Sequence, residues 1–183
     1  MRITGGEWRG RRLKPMKSFK GRPTTDFARE GLFNLLRSRV ELEGARVLDL
    51  FAGTGMVGVE CASRGAVSVL AVEKQKQACN YIKSCYDTLD FTEASVINAS
   101  VFSILETASV KMGGKFDLVF ADPPYDLKNL KEMPSKVRES GVLADEGLFV
   151  LEHGGDLAFN SEEGFLEMRK YGHVHFSFFT FEV

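Results

Sequence analysis

The feature that most constrains the fold is an alternation of short apolar runs with helix-like segments through the middle of the chain. The runs are typical of buried strands, and the segments between them carry apolar residues at helical spacing. The predicted strands are 46–51, 68–72, 94–97 and 116–121, and the predicted helices are 58–64, 75–89 and 101–109. Because strands joined through helices need crossover connections, the pattern predicts an α/β fold with a mostly parallel twisted sheet and helices on both faces.

Further elements are predicted on both sides of this alternating region. They are helices at 27–36 and 128–141 and strands at 147–152, 165–169 and 173–182. Thr25 or Asp26 can cap the first helix, and Tyr171-Gly172 can join the last two strands as an antiparallel hairpin. A chain of 183 residues, 44% of them hydrophobic, suits one main domain, which we place at 26–183 behind an N-terminal arm at 1–25.

A glycine-rich turn, Gly53-Thr54-Gly55-Met56-Val57-Gly58, follows the first predicted strand. Such a turn lets a ligand approach the backbone, but this spacing also occurs in sites for NAD. Asp49 would repel a pyrophosphate and suits a cationic ligand such as S-adenosylmethionine, which carries an ammonium and a sulfonium. Glu73 ends the next predicted strand, where a carboxylate can bind ribose hydroxyls in either kind of cofactor, so the spacing alone does not separate the two.

The run Asp122-Pro123-Pro124-Tyr125 directly follows the strand predicted at 116–121. The two prolines extend the chain and remove two N–H donors, which leaves carbonyl oxygens as acceptors. Asp122 and the Pro123 carbonyl can therefore accept both hydrogens of an exocyclic base amine and direct its lone pair at a methyl carbon, while Tyr125 stacks on the base. The run predicts amine methylation, although a simple proline turn after a strand is the alternative.

The N-terminal arm is strongly basic. Residues 1–25 hold eight basic side chains and one acidic one, a net charge of +7, so the rest of the chain carries −8 of the total of −1. The asymmetry predicts either a contact with a polyanion or a solvated tail. Trp8 among arginines favours a nucleic acid, because an aromatic ring can pack on a base or sugar.

Several segments together resemble the bacterial 16S rRNA (guanine-N2)-methyltransferases, a family of class I, Rossmann-like enzymes. The glycine turn with Asp122-Pro123-Pro124-Tyr125 resembles amino-methyltransferases in general. Five other segments are similar to this family in particular: Met1-Arg2-Ile3-Thr4-Gly5-Gly6, Trp8-Arg9-Gly10-Arg11, Arg22-Pro23-Thr24-Thr25-Asp26, Arg29-Glu30-Gly31-Leu32-Phe33-Asn34 and Arg169-Lys170-Tyr171-Gly172. The similarity runs nearly from end to end of the chain.

The resemblance implies methylation of guanine N2 in small-subunit rRNA, either naked or in an assembly particle, by a monomeric cytoplasmic enzyme. It implies a catalytic set of Asp122, Pro123, Pro124 and Tyr125, and an RNA-binding set of Arg2, Trp8, Arg9, Arg11 and Arg12. The expected S-adenosylmethionine site comprises Arg22, Pro23, Thr24, Asp49, Phe51, Ala52, Gly53, Gly55, Glu73, Lys74, Ser100 and Asp122. Related sequences usually carry Asp or Asn to meet the cofactor's adenine amine, where this chain has Asn98-Ala99-Ser100; Ser100 can still accept a hydrogen bond, and the residue that meets the adenine is open.

Other functions and sites are less well supported by the residues. A DNA adenine-N6 methyltransferase would use the same amine-binding run but needs a separate target-recognition domain. An inert RNA-binding assembly protein would have no need of Asp49, Glu73 and Asp122, and a nicotinamide oxidoreductase leaves the Asp-Pro-Pro-Tyr run unexplained. No metal site or disulfide is expected from the spacing of the three cysteines, Cys61, Cys79 and Cys85. No apolar run reaches the ~18–20 residues of a membrane span.

Overall fold

A computed structural model describes residues 1–16, 26–107, 114–155 and 157–181. The described residues form a seven-stranded sheet in the order β3-β2-β1-β4-β5-β7-β6. The strands are β1 Arg46–Leu50, β2 Ser68–Glu73, β3 Ala94–Asn98, β4 Phe116–Ala121, β5 Leu143–His153, β6 Phe165–Tyr171 and β7 Val174–Phe179. The helices are α1 Asp26–Leu36, α2 Met56–Ser63, α3 Lys76–Thr88, α4 Val101–Leu105 and α5 Met133–Ser140, with a 3-10 turn at Leu130–Glu132.

The sheet is parallel from β3 to β5 and antiparallel at its other end. β1 pairs in parallel with β2 and β4, and β4 pairs in parallel with β5. β7 runs antiparallel to both β5 and β6, so the last two strands form the expected hairpin. The predicted mixed sheet is therefore confirmed.

Both faces of the sheet are covered, which explains why its central strands are apolar at nearly every position. In β1, Val47 joins the hydrophobic core under α1, α2 and α3, whereas the next residue, Leu48, joins the core under α4 and α5. Side chains of successive strand residues point to opposite faces, so a single apolar run serves both cores. No helix among the described residues is long and apolar enough to cross a membrane.

Several predicted boundaries differ from the observed ones. Helix α2 begins at Met56, before the predicted start at 58, because Gly55 adopts a left-handed conformation (φ 70°) and turns the chain into the helix early. Strand β5 begins at Leu143 instead of 147, and a register shift against β4 accommodates the extra residues. The helix predicted at 128–141 is split into the 3-10 turn and α5, with Pro134 in the first turn of α5.

Three further elements are shorter than predicted. Helix α4 ends at Leu105, and the end predicted for it, at 109, lies outside the described residues. The hairpin turn places β7 at Val174–Phe179, so this strand begins one residue after its predicted start and ends before residue 182, which also lies outside the described residues. Helix α3 begins at Lys76 and ends at Thr88, within one residue of both predicted bounds.

The first 13 residues fold back as a hairpin on helix α2 instead of forming a solvated tail. Arg2 and Arg12 form an antiparallel bridge, and the Leu13 amide donates to the Met1 carbonyl at 2.9 Å. Ile3 and Leu13 are buried in the core under α1, α2 and α3. The basic side chains thus project from a folded element, which we call the N-terminal hairpin (residues 1–13). The domain boundary predicted after Thr25 falls in residues 17–25, outside the described part of the chain.

Candidate active site

Four strands of the parallel region end level with one another and create the candidate site. The register pairs Leu50 with Val72 on one side and with Ala121 on the other, and Ala121 pairs with Leu151 of β5. Ligands of open α/β sheets bind beyond the carboxyl ends of the strands. The acidic residues near these four ends, Asp49, Glu73, Asp122 and Glu152, therefore belong to one edge of the sheet.

The glycine turn connects β1 to α2 at this edge. Phe51, Gly53 and Gly55 all have positive φ angles, 57°, 54° and 70° respectively. A Cβ atom at Gly55 would lie 2.8 Å from Cγ1 of Ile82 in α3, so this position requires glycine for space as well as for conformation. The bare backbone of the turn lets a ligand approach its main-chain groups from the side that faces away from α3.

Glu73 fastens the glycine turn to the end of β2. Its Oε2 accepts from the Gly53 amide at 3.0 Å, and its Oε1 accepts from the Gln75 amide at 2.7 Å. The Asn98 amide group donates to the carbonyl oxygens of Glu73 and Lys74 at 3.1 and 2.8 Å. Carboxylate oxygens have further lone pairs, so Glu73 can still accept from ribose hydroxyls while it orders the loops on either side.

Asp49 lies beneath the start of helix α2. It is 2% exposed, and its Oδ2 accepts from the Gly58 amide at 3.2 Å. Burial, with a smaller effect of the nearby charges of Asp122 and Glu73, raises the pKa of this carboxyl group to about 7, although the hydrogen bond from the Gly58 amide opposes the shift. A cation bound at the edge would favour the ionised form of Asp49, which fits the ammonium-bearing ligand predicted from the sequence.

The Asp122-Pro123-Pro124-Tyr125 run leaves β4 beside the glycine turn. The Asp122 amide donates to the carbonyl of Leu50, the last residue of β1, at 3.4 Å. Pro123 is buried, whereas Pro124 and Tyr125 are exposed. The run turns back on itself through a hydrogen bond from the Leu127 amide to the Pro124 carbonyl, at 2.9 Å. Tyr125 thus stands at the rim of the edge with half of its side chain exposed.

Glu152, which sequence reasoning did not single out, also belongs to this site. It is 3% exposed, and its Oε1 accepts from the Tyr125 hydroxyl at 3.2 Å. Burial and the nearby charge of Asp122 raise its pKa to about 8. Burial, together with the nearby carboxylates of Glu152 and Asp122, raises the pKa of the Tyr125 hydroxyl. The signal that could have identified Glu152 is its position at the end of the strand predicted at 147–152, since strand ends collect at one edge of a parallel sheet.

A shallow cavity of about 260 Å³ opens beside Tyr125. Its walls combine the Tyr125 ring, apolar side chains and two exposed lysines, and its lining residues are Tyr125, Leu127, Lys128, Leu130, Lys131, Gly154 and Leu157. The volume lies below the ~300 Å³ lower end for drug-sized ligands, so the space suits one flat ring better than a larger molecule.

The other residues predicted to bind the cofactor are dispersed around the edge. Phe51 and Ala52 are half-buried in the glycine turn, and Phe51 packs edge-on against Phe102 at 6.4 Å between ring centroids. Lys74 and Ser100 are exposed, after β2 and β3 respectively, and Ser100 makes no side-chain cap to helix α4. Arg22, Pro23 and Thr24 lie outside the described residues. The assignment of cofactor contacts to these residues stays a prediction.

The predicted RNA-binding residues lie on the N-terminal hairpin and not at the sheet edge. Arg2, Arg9, Arg11 and Arg12 are all exposed, although Arg2 also pairs with Glu30 at 3.3 Å. Trp8 is half-buried and packs edge-on against Phe91, with ring centroids 5.9 Å apart. The amides of Glu7 and Trp8 bond to Ser63, the last residue of α2, whereas the glycine turn precedes the first residue.

This arrangement separates the tip of the hairpin from the glycine turn. Helix α2 has eight residues, which at ~1.5 Å per residue corresponds to about 12 Å. Lys14 comes nearer to the edge, since its carbonyl accepts from the Tyr81 hydroxyl on α3 at 2.7 Å. A polyanion that touches both the hairpin and the edge must therefore be extended.

The fold and the edge together define a class I methyltransferase. Its features are a mostly parallel seven-stranded sheet with a C-terminal antiparallel hairpin, a glycine turn after β1 and an acidic residue at the end of β2. The chain belongs to the family described as "Conserved hypothetical protein 95", whose model matches residues 1–180.

Named relatives and solved structures agree with this membership. The chain is 37% identical over 152 residues to the ribosomal RNA small subunit methyltransferase D of Escherichia coli strain K12, a match over 83% of this chain and 74% of the relative. It is 35% identical over 154 residues to the protein of the same name in Haemophilus influenzae, over 83% of this chain and 78% of the relative. A solved hypothetical protein of Thermus thermophilus superposes with a TM-score of 0.82 and 34% identity, over 98% of each chain.

Proposed function

We propose that this protein transfers a methyl group from S-adenosylmethionine to the exocyclic N2 amine of a guanine in 16S rRNA. The observation that carries the proposal is the contact between the Asp122 amide and the Leu50 carbonyl. It holds the start of the amine-binding run against the start of the glycine turn, so that acceptor and donor sites share one edge. The names of the relatives, small-subunit rRNA methyltransferases, support the choice of polymer.

The residues at the edge fit S-adenosylmethionine in two respects. Asp49 is a buried carboxyl group whose raised pKa leaves it ready to be ionised by a bound cation. The turn at Gly53 and Gly55 presents backbone without side chains, and Glu73 stands where ribose hydroxyls would meet it. Bound at this edge, S-adenosylmethionine would supply a methyl group activated by its sulfonium. Lys74 and Ser100 would complete the site, and Arg22-Pro23-Thr24 would close over it.

The catalytic residues act on the amine. Its lone pair is delocalised into the base, which makes it a poor nucleophile. Asp122 and the Pro123 carbonyl accept hydrogen bonds from its two N–H groups. These bonds draw the nitrogen towards tetrahedral geometry and direct its lone pair out of the ring plane. Pro124 keeps the run extended, and Tyr125 stacks on the base after it leaves its own strand. The methylated nitrogen is strongly acidic until it loses its extra proton, so no potent base is required.

The substrate would also contact the N-terminal hairpin. Arg9, Arg11 and Arg12 are exposed and can bind phosphates, with Arg2 and Trp8 beside them. Because the hairpin tip and the edge are apart, the RNA must span the α2 face. A structured rRNA segment, naked or in a small-subunit assembly particle, meets that requirement, and a monomer in the cytoplasm would be sufficient to act on it.

The test is methyl transfer from labelled S-adenosylmethionine to 16S rRNA and to small-subunit particles, followed by nucleoside analysis. The wild type should produce N2-methylguanosine from at least one of these substrates. Asp122→Ala should abolish transfer and leave RNA binding largely intact, whereas the matched variant Asp126→Ala, in the exposed part of the same loop, should retain it. Normal transfer by Asp122→Ala would refute the role given to the carboxylate, and N6-methyladenosine as the product would refute the choice of guanine.

RNA binding has a separate test in its salt dependence. Each phosphate contact contributes a slope of about −0.7 to −0.9 to the plot of log affinity against log salt. Replacing Arg9, Arg11 and Arg12 by glutamine should therefore weaken RNA binding and reduce the slope by about 2 to 3. An unchanged slope would show that the hairpin does not contact phosphates.

A further inference from the structure

Glu152 and Asp122 are neighbours across two strands. The parallel register of β4 and β5 pairs Ala121 with Leu151, so the residues that follow, Asp122 and Glu152, stand side by side at the carboxyl edge. The electrostatic effect of Asp122 on Glu152 is consistent with this proximity. The amine-binding run thus has a second carboxyl group next to it, contributed by a different strand.

One oxygen of this second carboxyl group has no hydrogen-bond partner. Oε1 of Glu152 accepts from Tyr125, but Oε2 is buried and unpaired among the residues that the structure describes. A buried acceptor without a donor costs about 1–3 kcal/mol, so such an atom calls for an explanation. Since Glu152 is 3% exposed and adjoins the amine-binding run, a hydrogen-bond donor to its Oε2 would come from a ligand held there.

The chemistry of the bases decides which ligand can provide that donor. Adenine, cytosine and guanine all carry an exocyclic amine, but they differ at the adjacent ring nitrogen on the Watson–Crick edge. In guanine this nitrogen, N1, bears a hydrogen and donates. In adenine (N1) and cytosine (N3) it bears a lone pair and accepts. A carboxylate oxygen beside the amine therefore complements guanine and repels the other two bases.

We propose that Glu152 selects guanine among the amine-bearing bases, with its Oε2 accepting the N1–H while Asp122 and the Pro123 carbonyl hold the N2 amine. This inference rests on the proposed function, because it names how the same site distinguishes its base. Donation from the N1–H of the base would also favour ionisation of a carboxyl group that burial otherwise keeps largely protonated at neutral pH.

Entry of the base requires a movement of Tyr125. The Glu152 carboxyl group is shielded from solvent, and the hydroxyl that contacts it belongs to a side chain that is 50% exposed. Tyr125 lies in the loop after β4, so its ring can turn while the cores on both faces of the sheet stay packed. The same ring would then be placed to stack on the base.

The experiment replaces the target guanosine in an RNA oligonucleotide by 2-aminopurine riboside. This base keeps the amine but has an unprotonated N1, so wild-type enzyme should lose at least about tenfold in kcat/KM, the loss expected when a polar group in the site is left unpaired. Glu152→Gln and Glu152→Ala should reduce the ratio of kcat/KM between guanosine and 2-aminopurine at least about tenfold below the wild-type ratio. The intrinsic difference between the two amines is common to all enzymes and cancels when these ratios are compared.

Two controls keep the experiment decisive. The glutamine of Glu152→Gln is isosteric with the neutral carboxyl group, and retained binding of S-adenosylhomocysteine by this variant would show that the site is folded. Glu146→Gln makes the same chemical change at the exposed start of β5 and should keep the wild-type ratio.

The outcomes separate this inference from the function on which it rests. If wild type and both Glu152 variants show the same ratio, guanine methylation stands and the role of Glu152 is overturned. If wild type transfers no methyl group to guanosine in the oligonucleotide, in 16S rRNA or in small-subunit particles, the proposed function fails, and the inference fails with it. A ratio that collapses in the two Glu152 variants and not in Glu146→Gln supports the assignment.

Discussion

Replacing Glu60 by glutamine should lower the free energy of unfolding by about 3–5 kcal/mol, because this residue neutralises two arginines inside the protein. Glu60 is fully buried in α2, and Arg29 of α1 is 1% exposed. Oε1 of Glu60 accepts from Nε of Arg29 at 3.1 Å and from the Thr4 amide at 2.7 Å, and Oε2 accepts from Arg64. Removal of the negative charge takes a buried anion away from the Arg29 guanidinium in the core, which also pairs with the half-exposed Asp26 at 2.7 Å.

Urea denaturation measures the effect. With a slope of about 2–3 kcal/mol per M, a loss of about 4 kcal/mol moves the midpoint down by about 1.3–2 M. The control is Glu30→Gln, which removes an ion pair with Arg2 whose two side chains are about half exposed. Exposed pairs contribute about 0–1 kcal/mol, so this midpoint should hardly move.

The substitutions Glu60→Gln and Arg29→Met should not combine additively. Arg29→Met removes the charge that Glu60→Gln leaves uncompensated, so the double variant should be less destabilised than the sum of the single variants by about 1 kcal/mol or more. Strict additivity, or a midpoint for Glu60→Gln equal to that of Glu30→Gln, would refute the reasoning. Because Thr4 donates to Glu60, hydrogen exchange in the N-terminal hairpin should accelerate in the single variant and report the loss locally.

Three further predictions follow from the site and its surroundings. Since burial raises the Asp49 pKa to about 7 and a bound cation needs the ionised form, affinity for S-adenosylhomocysteine should rise about tenfold between about pH 6 and about pH 8. Calorimetry should find that Asp49→Asn binds this ligand weakly and with an affinity that does not depend on pH. A wild-type affinity that does not change with pH would contradict the assignment. Trp8 is the one tryptophan of the chain and packs on Phe91, so its fluorescence should change when RNA binds the hairpin; an identical spectrum with saturating RNA argues against contact there. Gly58→Ala would place a Cβ atom 2.5 Å from the Tyr86 hydroxyl of α3. Overpacking of this kind should lower the free energy of unfolding, measured in urea, by about 1–3 kcal/mol. A stability equal to that of wild type would mean that α3 can move to accommodate the methyl group.

The order of elements along the chain could be predicted from the sequence, because it depends on periodicities among neighbouring residues. Val47 and Leu48 point to opposite faces of β1, and both are apolar since both faces are covered. The glycine turn was predicted for a related reason, since a tight connection between strand and helix needs residues that tolerate positive φ. The start of the following helix was predicted at residue 58, whereas α2 begins at Met56, because Gly55 before it adopts a left-handed conformation.

The tertiary structure alone decided which distant residues meet. The sequence indicated Asp122 but not Glu152, although the first directly follows a predicted strand and the second ends one, because the sequence does not show that β4 and β5 are adjacent and in register. It predicted a basic arm but not that Ile3 and Leu13 would be buried, nor that Glu60 would bind Arg29. Local periodicity selects helices and strands through contacts a few residues apart, whereas these pairings depend on how the whole sheet packs between its two layers of helices.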